Sequence, residues 1–212
     1  MLLKKFTLGQ METNSYVLGL AGQGSCLVVD VGAKPAALLD FLSSENLRLE
    51  AVVLTHGHYD HIAGLKELLK AHGQAKLIIG RDAQKVACNP LRNYSALFAL
   101  PILAPKADRL VAEPECIEIN GLSLQVMDLP GHSPGSIGLY HAQERSVYCG
   151  DTLFAGSIGR TDFPGASHEL LLHSIRNKLM ALPDDTKVWP GHGQQTTIGF
   201  ERRTNPFLNG ES

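Results

Sequence analysis

The chain has 212 residues, 44% of them hydrophobic and 19% charged, with a net charge of −2. That is enough for one large core. Nucleic acid is excluded as the expected partner, because phosphate binding is largely electrostatic and no basic excess or Lys/Arg run is present. A membrane is excluded in the same way: the longest apolar stretches, Ala51–Leu54, Leu77–Ile79 and Ala96–Leu100, fall far below the ~20 residues a spanning helix needs.

Met1-Leu2-Leu3-Lys4-Lys5 lacks the pattern of a signal peptide, so a cytoplasmic protein is expected. Residues 1–212 are expected to form a single domain. Leu2–Leu8, Ser15–Leu20 and Ser25–Asp30 are β-prone runs separated by glycine and polar clusters, as consecutive antiparallel strands would be. Pro35 opens a helix over Ala36–Leu42, and Ala51–Leu54 is an apolar strand of the buried kind. A histidine cluster follows it, then a helix over Ile62–Ala71 carrying Leu65, Leu68 and Leu69 at helical spacing.

In the second half, Cys116–Ile119 and Leu122–Asp128 flank Asn120-Gly121, a two-residue hairpin signal. Ser136–His141, Ser146–Cys149 and Lys187–Trp189 read as strands and Glu169–Leu182 as an amphipathic helix. Strands in both halves, with helices to cover one face of each, predict an α+β fold of two packed sheets with helices outside. Cys26, Cys88, Cys116 and Cys149 form no C-x-x-C pair and are expected to be buried thiols.

The chemistry is concentrated in Thr55-His56-Gly57-His58-Tyr59-Asp60-His61. His56 and His58, two apart in an extended segment, point to one side and can grip one metal ion. Asp60 and His61 lie where the chain turns into the helix and are aimed differently, which suits a second ion. Three more ligand-type residues, His132, Asp151 and His192, follow strands and are flanked by glycine, which lets the backbone approach an ion closely. Imidazole and carboxylate suit Zn²⁺, Fe²⁺ or Mn²⁺ better than a thiolate-loving metal. His72, His141, His168 and His173 lack glycine flanks and read as surface or structural residues.

Thr55–His61, Pro130–Gly135, Gly150-Asp151-Thr152 and Gly191-His192-Gly193 occur in the order and rough spacing of the metallo-β-lactamase superfamily, which the chain resembles over nearly its whole length. Asp151–Phe163 and Thr196–Arg202, running to Asn205-Pro206-Phe207, resemble the glyoxalase II-like (hydroxyacylglutathione hydrolase-like) branch. The resemblance implies an αββα sandwich, two mixed β-sheets face to face with helices outside, and a two-metal site at one edge. By position, His56, His58 and His132 would hold the first ion, and Asp60, His61 and His192 the second, with Asp151 bridging. Zinc comes first among the metals, with iron or manganese as alternatives.

The implied activity is hydrolysis of a small thioester, S-D-lactoylglutathione or a related acyl-thiol, by a hydroxide bridging the two ions, with Asp60 orienting the nucleophile. True metallo-β-lactamases usually carry Cys or Ser at the place of Asp151, which disfavours antibiotic hydrolysis. Asp30 matches a motif aspartate and either supports the histidine loop from beneath or merely ends its strand. Arg160 either reaches a substrate carboxylate or pairs with Asp162, and Tyr59 and Phe163 either line the pocket or pack. The chain ends twenty residues after His192, so no counterpart of the C-terminal helical glutathione-binding domain of typical glyoxalase II enzymes is expected. Two rival readings remain. Persulfide dioxygenases of the superfamily share the text Gly159–Phe163 and use one Fe²⁺ held by two His and one Asp, here His56, His132 and Asp151. The other rival is a non-catalytic metal-binding domain.

Overall fold

Successive strand residues point to opposite faces, and in this chain both faces are apolar. Ala51 and Val53 are buried on one side of their strand, Val52 and Leu54 on the other. A strand buried on both faces has to lie between two layers. The computed structural model, which describes residues 1–98 and 101–209, shows those layers. The last two residues of the apolar stretch Ala96–Leu100 lie outside the described residues.

The first sheet runs β1 (Leu2–Leu8), β2 (Thr13–Gly19), β3 (Ser25–Val29), β4 (Arg48–Leu54), β5 (Lys76–Gly80) and β6 (Arg109–Val111) in spatial order. It is mixed: β1 to β3 pair antiparallel and β3 to β6 parallel. The second sheet holds β7 (Cys116–Ile119), β8 (Leu122–Asp128), β9 (Ile137–His141) and β10 (Ser146–Gly150). A small hairpin, β11 (Leu153–Phe154) and β12 (Ser157–Ile158), leads on to β13 (Lys187–Pro190) and β14 (Thr196–Thr197), which complete that sheet. It is also mixed, with β10 and β13 parallel and its other neighbours antiparallel.

Helices α1 (Ala36–Ser44), α2 (Tyr59–Ile62), α3 (Leu65–Ala71) and α4 (Ala83–Ala87) belong to the first half, and α5 (His168–Ser174), α6 (Ile198–Thr204) and α7 (Pro206–Asn209) to the second. Three buried clusters define the stack. Leu27, Val29 and Val53 meet Leu124, Val126 and Tyr148 between the sheets. Val28, Val52 and Leu54 carry Leu38, Leu65 and Leu68 on the outer face of the first sheet. Val147 and Val188 carry Leu171, Ile175 and Ile198 on the outer face of the second. This is the expected αββα sandwich. No helix among the described residues is long and apolar enough to cross a membrane.

Two predicted helices differ from what forms. The helix expected over Ile62–Ala71 is interrupted, because the Gly64 amide donates to the Val31 carbonyl at 3.0 Å instead of back along the helix; the approach needs glycine, since a Cβ there would stand 2.2 Å from the Gly32 carbonyl oxygen. The Glu169–Leu182 helix closes its α-helical part at Ser174 and widens to a π-turn over Ile175–Leu179. The cysteines also divide. Cys26 and Cys149 are buried, and burial pushes both thiols up to about 12. Cys88 and Cys116 are exposed, contrary to expectation. On β7, Ile117 turns inward and Cys116 therefore outward, while Cys88 sits just past the end of the short α4. A disulfide thiol reagent at pH 8 is expected to modify two thiols in the native protein and four in denaturant, because the thiolate is the reactive form. Four rapid equivalents in the native state would contradict this burial.

Candidate metal centre

All seven sequence candidates converge at one edge of the sandwich, five of them just past the end of a strand and two on α2. β4 leads into Thr55, His56 and His58, and α2 turns Asp60 and His61 back towards them. β8 leads to His132, β10 to Asp151 and β13 to His192. Three groups of donor atoms form, the atoms in each lying within 4.8 Å of one another: His56, His58 and His132; His56, His61 and Asp151; Asp60, His61 and His192. The four remaining histidines join none of them. His168 and His173 are exposed and His72 half-buried, but His141 is buried with Nδ1 unpartnered.

Hydrogen bonds fix which nitrogens face inward. The Arg160 carbonyl can only accept, so His132 Nδ1 donates to it at 2.8 Å and turns its Nε2 lone pair towards His58 Nδ1, 2.9 Å away. Asp30 accepts from His61 Nδ1 at 2.8 Å, which leaves His61 Nε2 facing Asp60 at 3.4 Å and Asp151 at 3.3 Å. Asp30 also accepts from the Thr55 amide at 2.8 Å and the Thr55 hydroxyl at 2.7 Å. Of its two sequence readings the supporting one is therefore observed: its carboxylate braces the histidine loop.

Asp151 sits between the two sets, with Oδ1 3.3 Å from His61 Nε2 and Oδ2 3.6 Å from His132 Nε2 and 3.5 Å from His192 Nε2. Asp60 Oδ2 accepts from Thr13 Oγ1 at 3.0 Å and lies 3.1 Å from His192 Nε2. Burial, with charge on neighbouring His61, holds His56 well below the usual imidazole range, and burial pushes His58 down to about 3. Burial alone would lower His61 too, but Asp60, Asp151 and Asp30 together raise it well above its ordinary value. Asp60 and Asp151 are lowered despite their burial, by His61 first. The centre is thus a nest of ionised carboxylates and inward-facing imidazoles.

A divalent cation fits this donor set. His56 Nε2 and Asp151 Oδ1 are buried without a hydrogen-bond partner, since the 3.3 Å approach of His61 to Asp151 lacks hydrogen-bond geometry. Two buried acceptors without a protein partner suit a cation. The donors are nitrogen and oxygen; Cys149, two residues from Asp151, keeps its sulfur against the Leu153 carbonyl in the core. Such a set takes zinc, iron or manganese. Close approach explains one glycine here: a Cβ on Gly191 would lie 2.1 Å from Asp151 Oδ1. Gly131 serves differently from expectation, pressing on Leu171 of α5 rather than opening space at the donors.

The sequence profile of the metallo-beta-lactamase superfamily matches residues 8–192. The chain belongs to that superfamily. Hydroxyacylglutathione hydrolase GloC of Haemophilus influenzae is 38% identical to it over 187 residues, 87% of this chain and 88% of that protein. Among solved structures, the BLEG-1 B3 metallo-beta-lactamase superposes with a TM-score of 0.93 at 37% identity, over 99% of this chain and 100% of BLEG-1. TTHA1623 in a di-iron-bound form gives 0.84 at 34%, covering 97% and 100%. ETHE1 from Myxococcus xanthus gives 0.83 at 26%, covering 100% and 86%. Membership implies a divalent-metal site, and the donor groups for one are present.

Over these superfamily donors lies a cleft of about 350 Å³, whose walls include Tyr59, Phe163 and Arg160 with His58, Asp60, His132, Asp151 and His192. A larger cavity of about 640 Å³ touches the donors only through His58. Tyr59 stacks obliquely on Phe98, and Phe163 stacks on Tyr94, both with centroids 4.8 Å apart. The Arg160 guanidinium is paired twice with Asp162, at 3.0 and 2.8 Å, over the Phe163 ring. Its contribution to the donors is made by its carbonyl, through His132.

Thr13 and Asn14 belong to no sequence motif, and Thr55, inside the histidine motif, is not a metal-ligand type, yet all three support the donors. Asn14 Nδ2 donates to the Pro190 and Gly193 carbonyls, both at 3.0 Å, and its amide donates to Gly191 at 2.7 Å, so β2 clamps the loop that carries His192. A run of three buried polar residues, Thr13, Asn14 and Ser15, opening an otherwise apolar strand is the signal that could have revealed it.

Proposed function

We propose that the chain is a metal-dependent hydrolase of small thioesters, resembling hydroxyacylglutathione hydrolases. The observation that carries this reading is Asp151, placed between two complete donor sets. His56, His58 and His132 would hold one cation, and Asp60, His61 and His192 the other, with Asp151 serving both. Divalent cations held there supply Lewis acidity and a hydroxide nucleophile at neutral pH.

The chain's own residues do the rest. The cleft walls exclude bulk water and hold the thioester carbonyl against the donors. Asp60 Oδ2 is engaged by Thr13 and His192, leaving Oδ1 to accept a hydrogen bond from the attacking water and orient it. The water oxygen bonds to the carbonyl carbon, and the C–S bond breaks with its electron pair leaving on sulfur. The departing thiolate takes up one of the water's protons and the other passes by way of Asp60 to solvent, so a carboxylate, a thiol and one released proton result; a thiolate leaves readily, and no strong acid is needed beside it.

A second reading, a mononuclear iron dioxygenase acting on a thiol persulfide, is favoured by the likeness to ETHE1 and by the text Gly159–Phe163. It would need only His56, His132 and Asp151. One sample of metal-replete protein separates the two: thiol release from S-D-lactoylglutathione, and O₂ uptake with glutathione persulfide. Thiol release without persulfide-dependent O₂ uptake is the expected outcome, and the reverse would overturn the proposal. A chromogenic β-lactam belongs in the same assay, given the BLEG-1 likeness, and is expected to be the poorer substrate.

A further inference from the structure

Apart from the donors, Arg160 and the hydroxyls of Tyr59 and Tyr94, the cleft over the donors is lined by apolar groups. Met11, Tyr59, Leu97, Phe98, Phe154 and Phe163 supply most of its remaining wall. Among the described residues lining it, Arg160 is the one guanidinium or ammonium, and Asp162 already holds it in a two-point pair stacked on Phe163. Its mouth keeps large apolar groups in water: Met11 is 50% exposed, Leu97 76% and Phe98 54%. Further basic groups are found instead in the neighbouring cavity, which shares His58 and Tyr94 with the cleft and is lined by Arg92 and by Lys85, itself paired with Asp82 at 3.2 Å. Contiguous exposed apolar surface at the mouth of a polar centre is the signature of a ligand whose own apolar part covers it.

Resting on the thioester hydrolase reading, we propose that this cleft takes the acyl half of the substrate as an apolar chain or ring, seated against Leu97 and Phe98, so that apolar acyl thioesters are turned over better than small hydroxyacyl ones. A cleft of about 350 Å³ falls within the size range of small-molecule sites. Each methylene moved from water into it is expected to raise kcat/KM by about three- to fourfold until the space is filled. Leu97 and Phe98 are the residues that set this preference.

The test uses metal-replete protein and N-acetylcysteamine thioesters of acetyl, butanoyl, hexanoyl and octanoyl acids, whose thiol half carries no charge, beside S-D-lactoylglutathione. The expected result is a kcat/KM that climbs by about tenfold per two methylenes through the early members. Phe98→Ala and Leu97→Ala are each expected to flatten that climb, lowering the hexanoyl-to-acetyl ratio several-fold. The ratio is taken within one variant, so a general loss of metal or fold cancels from it. Lactoylglutathione hydrolysis with a flat or falling acyl series overturns this inference and leaves the hydrolase reading standing. A climb that persists undiminished in both variants also overturns it, by removing Leu97 and Phe98 from the preference. No hydrolysis of any thioester overturns the hydrolase reading itself.

Discussion

Replacing Asp151 with alanine is expected to reduce thioester hydrolysis by about a thousandfold or more while the protein remains folded. The side chain lies within 3.6 Å of His61, His132 and His192 at once, so its loss opens both donor sets together. Several kcal/mol of transition-state stabilisation depend on those sets, and about 1.36 kcal/mol corresponds to a tenfold change in rate. Asp151→Glu is expected to do little better. Its carboxylate needs one more methylene of room, and the backbone of Gly191 is packed so closely that even a Cβ there would stand 2.1 Å from Asp151 Oδ1. Steady-state kinetics with circular dichroism on the same samples check both variants. An alanine variant retaining a tenth of the activity would show that the two sets do not act through Asp151.

Asp30→Asn should weaken the second donor set without touching it. The native carboxylate accepts from three buried donors, the Thr55 amide, the Thr55 hydroxyl and His61 Nδ1. Asparagine keeps the volume but replaces one acceptor oxygen with an NH₂ group. Set with that group towards Thr55 and His61, it forces His61 to give up its Nδ1 proton and carry one on Nε2, the nitrogen that faces Asp60 and Asp151. That is the wrong tautomer for holding a cation, and outer partners of metal-ligating histidines are typically worth about 10–100-fold in affinity. Metal affinity at the Asp60–His61–His192 set is expected to fall by about that factor. Stability should fall as well, since a buried donor left unmatched costs about 1–3 kcal/mol; thermal melting of the metal-free variant reads this separately. Unchanged affinity in the variant would mean that His61 is oriented by something other than Asp30.

The convergence of the candidate donors was legible in the sequence because each carries a short-range signal. His56, His58, Asp60 and His61 fall within six residues on a strand-to-helix turn, and His132, Asp151 and His192 each announce themselves by glycine at a strand end. The residues that aim those donors were harder to see, since their contacts exist only once the sheets have formed. Asp30 reaches Thr55 and His61 because β3 and β4 pair in parallel, and the two readings of Asp30 could not be separated without that pairing. Asn14 reaches Pro190 and Gly193 across 176 and 179 positions of chain. The Arg160 side chain drew attention by its charge, whereas its carbonyl does the aligning; a main-chain acceptor has no residue-type signature. In the fold, short β-prone runs bounded by glycine and polar clusters mark the major strands, but α4 spans five residues and β6 three, too few for periodicity to register. Helix propensity alone tolerates Gly64 within Ile62–Ala71, and the break appears only where the Gly64 amide pairs with Val31.

Metal content per chain decides whether the two donor sets form a binuclear centre. Protein stripped with a chelator, reloaded with Zn²⁺ and freed of excess should contain close to two ions per chain by elemental analysis, and His192→Ala close to one. One ion per chain in the native protein, unchanged in His192→Ala, would contradict the binuclear centre and leave only the His56–His58–His132 side of the site at work.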